Sequence, residues 1–168
     1  MAAMEAIFYS RIISPVGPLI VGATRRGLFC LEFDSPGALL YRTRNNSNLW
    51  LFSEEKTAPF VRELREYFAG TRTRFEFALD LHGTEFQKRC WKALTRIPYG
   101  KTTTYAAIAR KVGRPKASRA VGQANHMNPM AIVVPCHRVL QTDGSLGGYG
   151  GGLDKKVTLL RLEGALAN

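Results

Sequence analysis

The chain has 168 residues, is 45% hydrophobic and 22% charged, and carries a formal net charge of +11. That length suits one large domain or two small ones with a real core, and the composition is ordinary for a soluble globular protein. No apolar run approaches the roughly 20 residues needed to span a bilayer, MAAMEAIFYS has no basic region followed by an apolar one as a secretory signal would, and three widely spaced cysteines (Cys30, Cys90, Cys136) do not make a disulfide framework, so a reducing compartment is expected: the cytoplasm, or the nucleus in a eukaryote.

In chain order, AIFYSRIISPVGPLIVGATRRGLFCLEFD consists of short apolar runs broken by Ser14-Pro15, Gly17-Pro18, Gly22 and Arg25-Arg26-Gly27. This spacing predicts an antiparallel meander with hairpin turns. The polar stretch Arg42 to Asn48 reads as a loop. APFVRELREYFAG then places Phe60, Val61, Leu64, Tyr67 and Phe68 on one helical face, stopped by Gly70. RFEFALDL alternates and reads as a strand. The composition turns basic near Asp80 to Thr84, which sets two domains, 1–79 and 80–168.

The second domain reads mainly helical. Thr84 is placed to cap FQKRCWKALTRI, which Pro98 and Gly100 end. Thr102, Thr103 or Thr104 caps TYAAIARKV, which Gly113-Arg114-Pro115 breaks. KASRAVGQANHM forms a third helix, ended by Asn128-Pro129. Ile132-Val133-Val134 reads as a buried strand closed by Pro135, with Cys136-His137-Arg138 directly after it. The glycine-rich loop Gly144 to Gly152 leads into a last helix, about Leu153 to Leu162.

The charge is one-sided. Residues 1–79 carry 10 Lys/Arg against 8 Asp/Glu, and residues 80–168 carry 14 against 5. Between Lys101 and Arg138 there are seven basic residues and no acidic one. Such a distribution is the footprint of a polyanion partner, nucleic acid above all. TYAAIARKVGRPKASRAVGQAN, two short helices around a glycine turn with basic residues on the second, is a helix-turn-helix pattern. The small residues Ala117, Ala120, Gly122 and Ala124 let the second helix lie close to another surface, either DNA or a neighbouring helix.

A cysteine becomes nucleophilic when a base or positive charge lowers its pKa. Cys136 and His137 are adjacent, and neighbours on an extended backbone point to opposite faces, so a bridging water would complete the contact. His137 would need a third group to orient it. Glu163, the one carboxylate after Asp154, is the candidate. Cys30, Cys90 and Trp91 read as core. No CxxC and no metal-ligand spacing among His82, His126 and His137 is present, so neither metal nor cofactor is expected. The glycine-rich loop lacks the phosphate-loop pattern and offers backbone, with Tyr149, to a flat ligand. On these residues alone, a sequence-reading regulator and a cysteine hydrolase using Cys136 and His137 both stand beside a DNA-modifying role.

Together, I-V-V-P-C-H-R-V (Ile132 to Val139), R-A-V-G (Arg119 to Gly122), Asn128-Pro129, Y-G-G-G-L (Tyr149 to Leu153) and L-E-G (Leu162 to Gly164) resemble the O6-alkylguanine-DNA alkyltransferases, the methylated-DNA–protein-cysteine methyltransferases. F-Q-K-R-C-W-K-A-L and I-P-Y-G-K extend the match, which covers most of residues 84–164. S-P-V-G-P-L and L-R-E-Y-F-A-G carry a weaker one upstream. The resemblance implies an α+β chain: a ribonuclease-H-like N-terminal domain with a small antiparallel sheet, and a mainly helical, winged-helix-like C-terminal domain with a short active-site strand. It implies a single-use acceptor, Cys136, which takes the alkyl group from O6-alkylguanine, with O4-alkylthymine as a second substrate, after the nucleotide is flipped out. His137 would be the base acting through water and Glu163 its orienting partner. Asn128 would be a hinge residue hydrogen-bonding near the thiol, and Tyr105 the group that protonates the leaving guanine. Arg119 would fill the vacated stack. Ala117, Ala120, Gly122 and Thr104 would approach the DNA in its minor groove. Val139, Tyr149 and Gly150 would line the guanine pocket. A monomer is expected, with cooperative binding along DNA. The sequence departs from many relatives at Asn125-His126-Met127, Gly147-Gly148 and Gly150, positions that bear on which alkyl groups fit.

Overall fold

In a computed structural model, which describes residues 4–44 and 47–168, the first strands form where short β-rich runs alternate with turn residues. β1 (Ala6–Ser14), β2 (Gly17–Thr24) and β3 (Gly27–Phe33) make an antiparallel meander. Two-residue turns at Pro15-Val16 and Arg25-Arg26 join them. Gly27 is required for two reasons. Its φ is +141°, and a Cβ there would stand 2.3 Å from the Ala78 carbonyl oxygen.

The segment around Ala78 is also the first departure from the sequence reading. Arg74–Leu81 forms no ladder strand. It is tied to β3 only around Leu28, whose N–H donates to Ala78 O (2.9 Å) and whose carbonyl accepts from Asp80 N (2.8 Å). The alternation of Phe75 and Phe77 serves a helix instead: Phe75 meets Tyr67 and Phe77 meets Phe60, with ring centroids 5.4 and 4.9 Å apart. Those partners lie on α2 (Glu54–Phe68), whose stripe Thr57, Val61, Leu64 and Tyr67 packs on the sheet. The helix starts four residues before the expected Ala58, because Ser53 caps it by accepting from Lys56 N. A buried hydroxyl pair, Ser10–Thr57 at 2.6 Å, links it to β1.

Two further elements were not expected. β4 (Leu49–Phe52) adds to β1 in parallel, so the sheet order is β3-β2-β1-β4 and the sheet is not wholly antiparallel. α1 (Ala38–Arg44) occupies the start of the stretch read as a loop and buries no residue. Asn45 and Asn46 of that loop lie outside the described residues.

A second compact unit runs from His82 to Asn168. Thr84 and Gln87 form a reciprocal capping box at the start of α3 (Glu85–Thr95). α3 turns Cys90, Trp91, Ala93 and Leu94 inward, and the Trp91 indole N–H donates to Ala124 O at 2.9 Å. Ala124 belongs to α5 (Ser118–His126), which packs on α3 and on α4 (Tyr105–Lys111). Thr104 caps α4 by accepting from Ala107 N. Beyond α5 the strand expected at Ile132–Val134 is absent. The apolar run is buried, but Met130–Cys136 is a series of tight turns, with Val134 N donating to Met130 O and Cys136 N to Val134 O. Ile132 has φ +75°, which breaks any extended path. A single 3₁₀ turn holds Cys136–Arg138. Only then does β6 (Val139–Leu140) pair, in parallel, with β5 (Thr103–Thr104). α6 (Leu153–Leu162) closes the unit. Among the described residues, no helix is long and apolar enough to cross a membrane.

Candidate active site

The turn series places Cys136 where a strand would not. A cavity of about 530 Å³ opens between α4, α5 and the glycine-rich loop, and Cys136 borders it with 8% of its surface exposed. A volume of that size suits a small flat ligand. Tyr105 at the start of α4 borders it, as do Ser118, Arg119, Gly122, Asn125 and His126 on one stripe of α5. Gln141, Gly148, Tyr149 and Gly150 complete its wall.

Asn128 holds the turn and touches the thiol. Its Nδ2 donates to Val134 O (2.7 Å) and to Cys136 Sγ (3.3 Å), and its Oδ1 accepts from Met130 N (2.9 Å). Burial pushes the thiol pKa up, while the Asn128 hydrogen bond and the Lys156 charge oppose that shift. The net direction is up, so the resting thiol is protonated at neutral pH.

His137 is fully buried behind Cys136 and does not bond to it directly. The 3₁₀ turn sends His137 toward Glu163, whose Oε1 lies 2.8 Å from Nε2. Burial lowers the His137 pKa, more strongly than the Glu163 carboxylate raises it, and the charges on Arg138 and Lys156 lower it further. The imidazole is therefore neutral at pH 7. Burial also disfavours the Glu163 carboxylate, but hydrogen bonds and charge from His137 and Arg138 prevail and hold it down at about 2. An ionised carboxylate only accepts, so Nε2 carries the proton and Nδ1 keeps its lone pair. Nδ1 has no hydrogen-bond partner among the described residues.

Glu163 also grips Arg138: Nε donates to Oε2 and Nη2 to Oε1, both at 2.8 Å, while Nη1 donates to Ile97 O at 2.7 Å. Six of the seven basic residues from Lys101 to Arg138 are exposed, and Arg138 is the buried exception. The exposed six, Lys101, Arg110, Lys111, Arg114, Lys116 and Arg119, lie on and around the α4–α5 pair.

The residues singled out in the sequence divide accordingly. Cys136, Tyr105, Arg119, Gly122, Tyr149 and Gly150 share the cavity. Asn128, His137 and Glu163 stand behind it. Val139 does not border it: the residue is fully buried, and its carbonyl accepts from Lys156. Thr104 is spent as the α4 cap, Ala117 is the N-cap position of α5, and Ala120 is exposed on that helix. Burial, with a smaller effect from Cys136, raises the Tyr105 pKa, so its phenol remains a donor.

Three features escaped the sequence reading. Ser118 and Asn125 share the cavity stripe of Gly122 and His126 at helical spacing, a signal that was available. Neither polar atom of the Asn125 amide has a partner among the described residues. Lys156, fully buried, takes a position of the apolar stripe of α6. Cys30 and Cys90 are buried free thiols, with the Cys30 pKa raised by burial to about 11. Among the described residues no group of three or more His, Cys, Asp or Glu is placed to hold a metal ion.

Comparison with known proteins adds to this geometry. The family model described as "6-O-methylguanine DNA methyltransferase, DNA binding domain" matches residues 85–165, and "6-O-methylguanine DNA methyltransferase, ribonuclease-like domain" matches residues 7–81. The methylated-DNA–protein-cysteine methyltransferase of Methanosarcina acetivorans is 45% identical over 159 residues, covering 95% of this chain and 99% of its own. That of Mycobacterium leprae is 50% identical over 151 residues, covering 89% and 88%. The crystal structure of Mycobacterium tuberculosis OGT in complex with DNA superposes with a TM-score of 0.82 at 45% identity, covering 94% of this chain and 93% of its own.

Proposed function

The chain belongs to the 6-O-methylguanine DNA methyltransferase family, and from that premise we propose that it repairs DNA by moving the alkyl group of an O6-alkylguanine onto Cys136, once per molecule. The observation that best supports this reading is a thiol at the edge of a base-sized cavity with a neutral, oriented imidazole behind it. DNA is the partner; the α4–α5 pair with its exposed cations would meet the minor groove, chiefly through sequence-independent phosphate contacts. O4-alkylthymine is a second substrate of the same chemistry. The protein acts as a monomer, with cooperative binding along DNA.

A lesion atom inside a duplex cannot reach this thiol, so the nucleotide is flipped out. Arg119, exposed at the cavity mouth, takes its place in the stack. With the base in the cavity, His137 Nδ1 draws the Cys136 proton through one water, and Glu163 stabilises the imidazolium that forms. The thiolate attacks the alkyl carbon. The S–C bond forms, the C–O6 bond breaks, and its electron pair leaves with the guanine. Tyr105 donates a proton to that leaving base. The product is a thioether, which has no route back to the thiol.

The test is intact mass after incubation with a duplex carrying O6-methylguanine. A gain of one methyl on the Cys136 peptide, stopping at one equivalent, is expected. Absence of the methyl overturns the reading, and repeated turnover on an ester or amide would support a cysteine hydrolase instead. Strong discrimination between undamaged duplexes at fixed salt would favour a regulator.

A further inference from the structure

The last helix carries a lysine where an apolar side chain is expected. Lys156, Leu159, Leu160 and then Glu163 follow the spacing i, i+3, i+4, i+7, and all four are buried. Lys156 has no exposed surface at all. A buried ammonium is tolerated only when its protons are bonded, and an ammonium has three. Nζ donates to Val139 O (2.7 Å), to Leu146 O and to Gly148 O (3.3 Å). Three carbonyls satisfy the hydrogen bonds but leave the positive charge without an anion among these partners.

The positions of those carbonyls matter. Val139 opens β6, immediately after the Cys136–Arg138 turn. Leu146 and Gly148 belong to the glycine-rich loop, and Gly148, Tyr149 and Gly150 form the cavity wall facing α5. We infer that Lys156 is a positioning residue for the acceptor thiol: its ammonium ties the glycine-rich wall to the strand behind Cys136 and supplies a buried cation that favours the thiolate. His137 removes the proton, and Lys156 stabilises the charge left on sulfur. This inference rests on the alkyl-acceptor reading of Cys136.

The electrostatics run the same way. Burial lowers the Lys156 pKa to about 8, and Cys136 opposes that shift. Lys156 in turn lowers the thiol pKa. The ionisable groups around this centre are Cys136, Tyr105 at the start of α4, Tyr149 in the wall, and His137 with Glu163 and Arg138 behind it.

Lys156→Met keeps the chain length and removes the charge and the donors. The rate of Cys136 modification by iodoacetamide, followed against pH by peptide mass on the full-length protein, reports the thiolate without DNA. The variant should shift the midpoint to higher pH and slow modification at pH 7 about tenfold, one decade of thiol proton affinity. Lys156→Arg, which keeps the cation, should restore most of that loss. An unchanged midpoint in Lys156→Met overturns the electrostatic role. Amide exchange across residues 144–152 should rise in the same variant, and unchanged exchange overturns the tie. Where Lys156→Met does not fold, Cys136→Ser serves: the Lys156 ammonium, followed by nitrogen-15 NMR, should titrate at lower pH than in the wild type, and an equal midpoint overturns the coupling. Failure of the alkyl-acceptor reading looks different, because a wild type that takes no methyl from damaged duplex leaves these thiol and lysine titrations intact.

Discussion

Replacing Glu163 by Gln removes the one negative charge that serves two buried partners. In the wild type the carboxylate accepts from His137 Nε2, Arg138 Nε and Arg138 Nη2, each at 2.8 Å. These contacts bring its pKa from an ordinary 4.5 to about 2. At about 1.4 kcal/mol per decade of proton affinity, the difference is worth about 3 kcal/mol of folding stability. That falls at the low end of the roughly 3–5 kcal/mol expected when a buried ion pair loses one member. The sign follows from linkage. A carboxylate more acidic in the folded state contributes fully above about pH 4.5, and the contribution fades as pH falls toward 2. Urea unfolding followed through Trp91, on α3 of the same unit, measures the effect. Glu163→Gln should lose about 3 kcal/mol at pH 7 and differ from wild type by less than about 1.5 kcal/mol at pH 3. A difference below about 1 kcal/mol at pH 7, or one that persists undiminished at pH 3, would refute the reasoning.

Other perturbations separate stability from chemistry. Asn128→Ala leaves the Met130 N–H without its side-chain partner, at about 1–3 kcal/mol for that orphaned donor, while the Val134 carbonyl keeps the Cys136 N–H. It should also raise the thiol pKa, so thermal unfolding and iodoacetamide reactivity at Cys136 both fall, and a variant stable within about 0.5 kcal/mol of wild type would exclude this role. Arg119→Ala removes an exposed side chain, so unfolding should change by less than about 0.5 kcal/mol. Methyl transfer from duplex should nonetheless slow at least tenfold, while transfer from the free alkylated base holds; equal losses on both would show that Arg119 does not act on the duplex. Thr84→Ala breaks the capping box and should cost about 1 kcal/mol in unit unfolding with no change in transfer rate. Cys136→Ala should accept no methyl yet bind duplex within a few-fold of wild type, as gel shift at fixed salt would show.

Much of the architecture lay within reach of local pattern. Thr84-x-x-Gln87 announces a helix start, Thr104 another, and Gly70 an end, because caps and left-handed glycines act over three or four residues. The meander β1–β3 is legible for the same reason: each hairpin turn is two residues long. Cys136 and His137 are contiguous, and Glu163 is the one carboxylate after Asp154, so the thiol, the imidazole and the candidate carboxylate could all be named in advance. Local pattern fails where a partner distant in sequence decides. Phe75 and Phe77 alternate like a strand, but α2 takes their rings. Leu49–Phe52 becomes a strand because the open edge of β1 accepts it in parallel. Ile132-Val133-Val134 has the composition of a strand, yet Asn128 bonds across it from both sides and folds it into turns.

The sequence by itself determined the chemistry on offer: one thiol beside one imidazole, one late carboxylate, a basic face and small helix residues to carry it. Tertiary structure decided how these groups are wired. It sent His137 inward to Glu163 rather than across to Cys136, and it withdrew Arg138 from the basic face to share the same carboxylate. It also placed Lys156 among three carbonyls behind the cavity wall. Composition and spacing count charges and name side chains. Burial and three-dimensional neighbours set which of those charges are paid in desolvation, which are shared, and which proton leaves first.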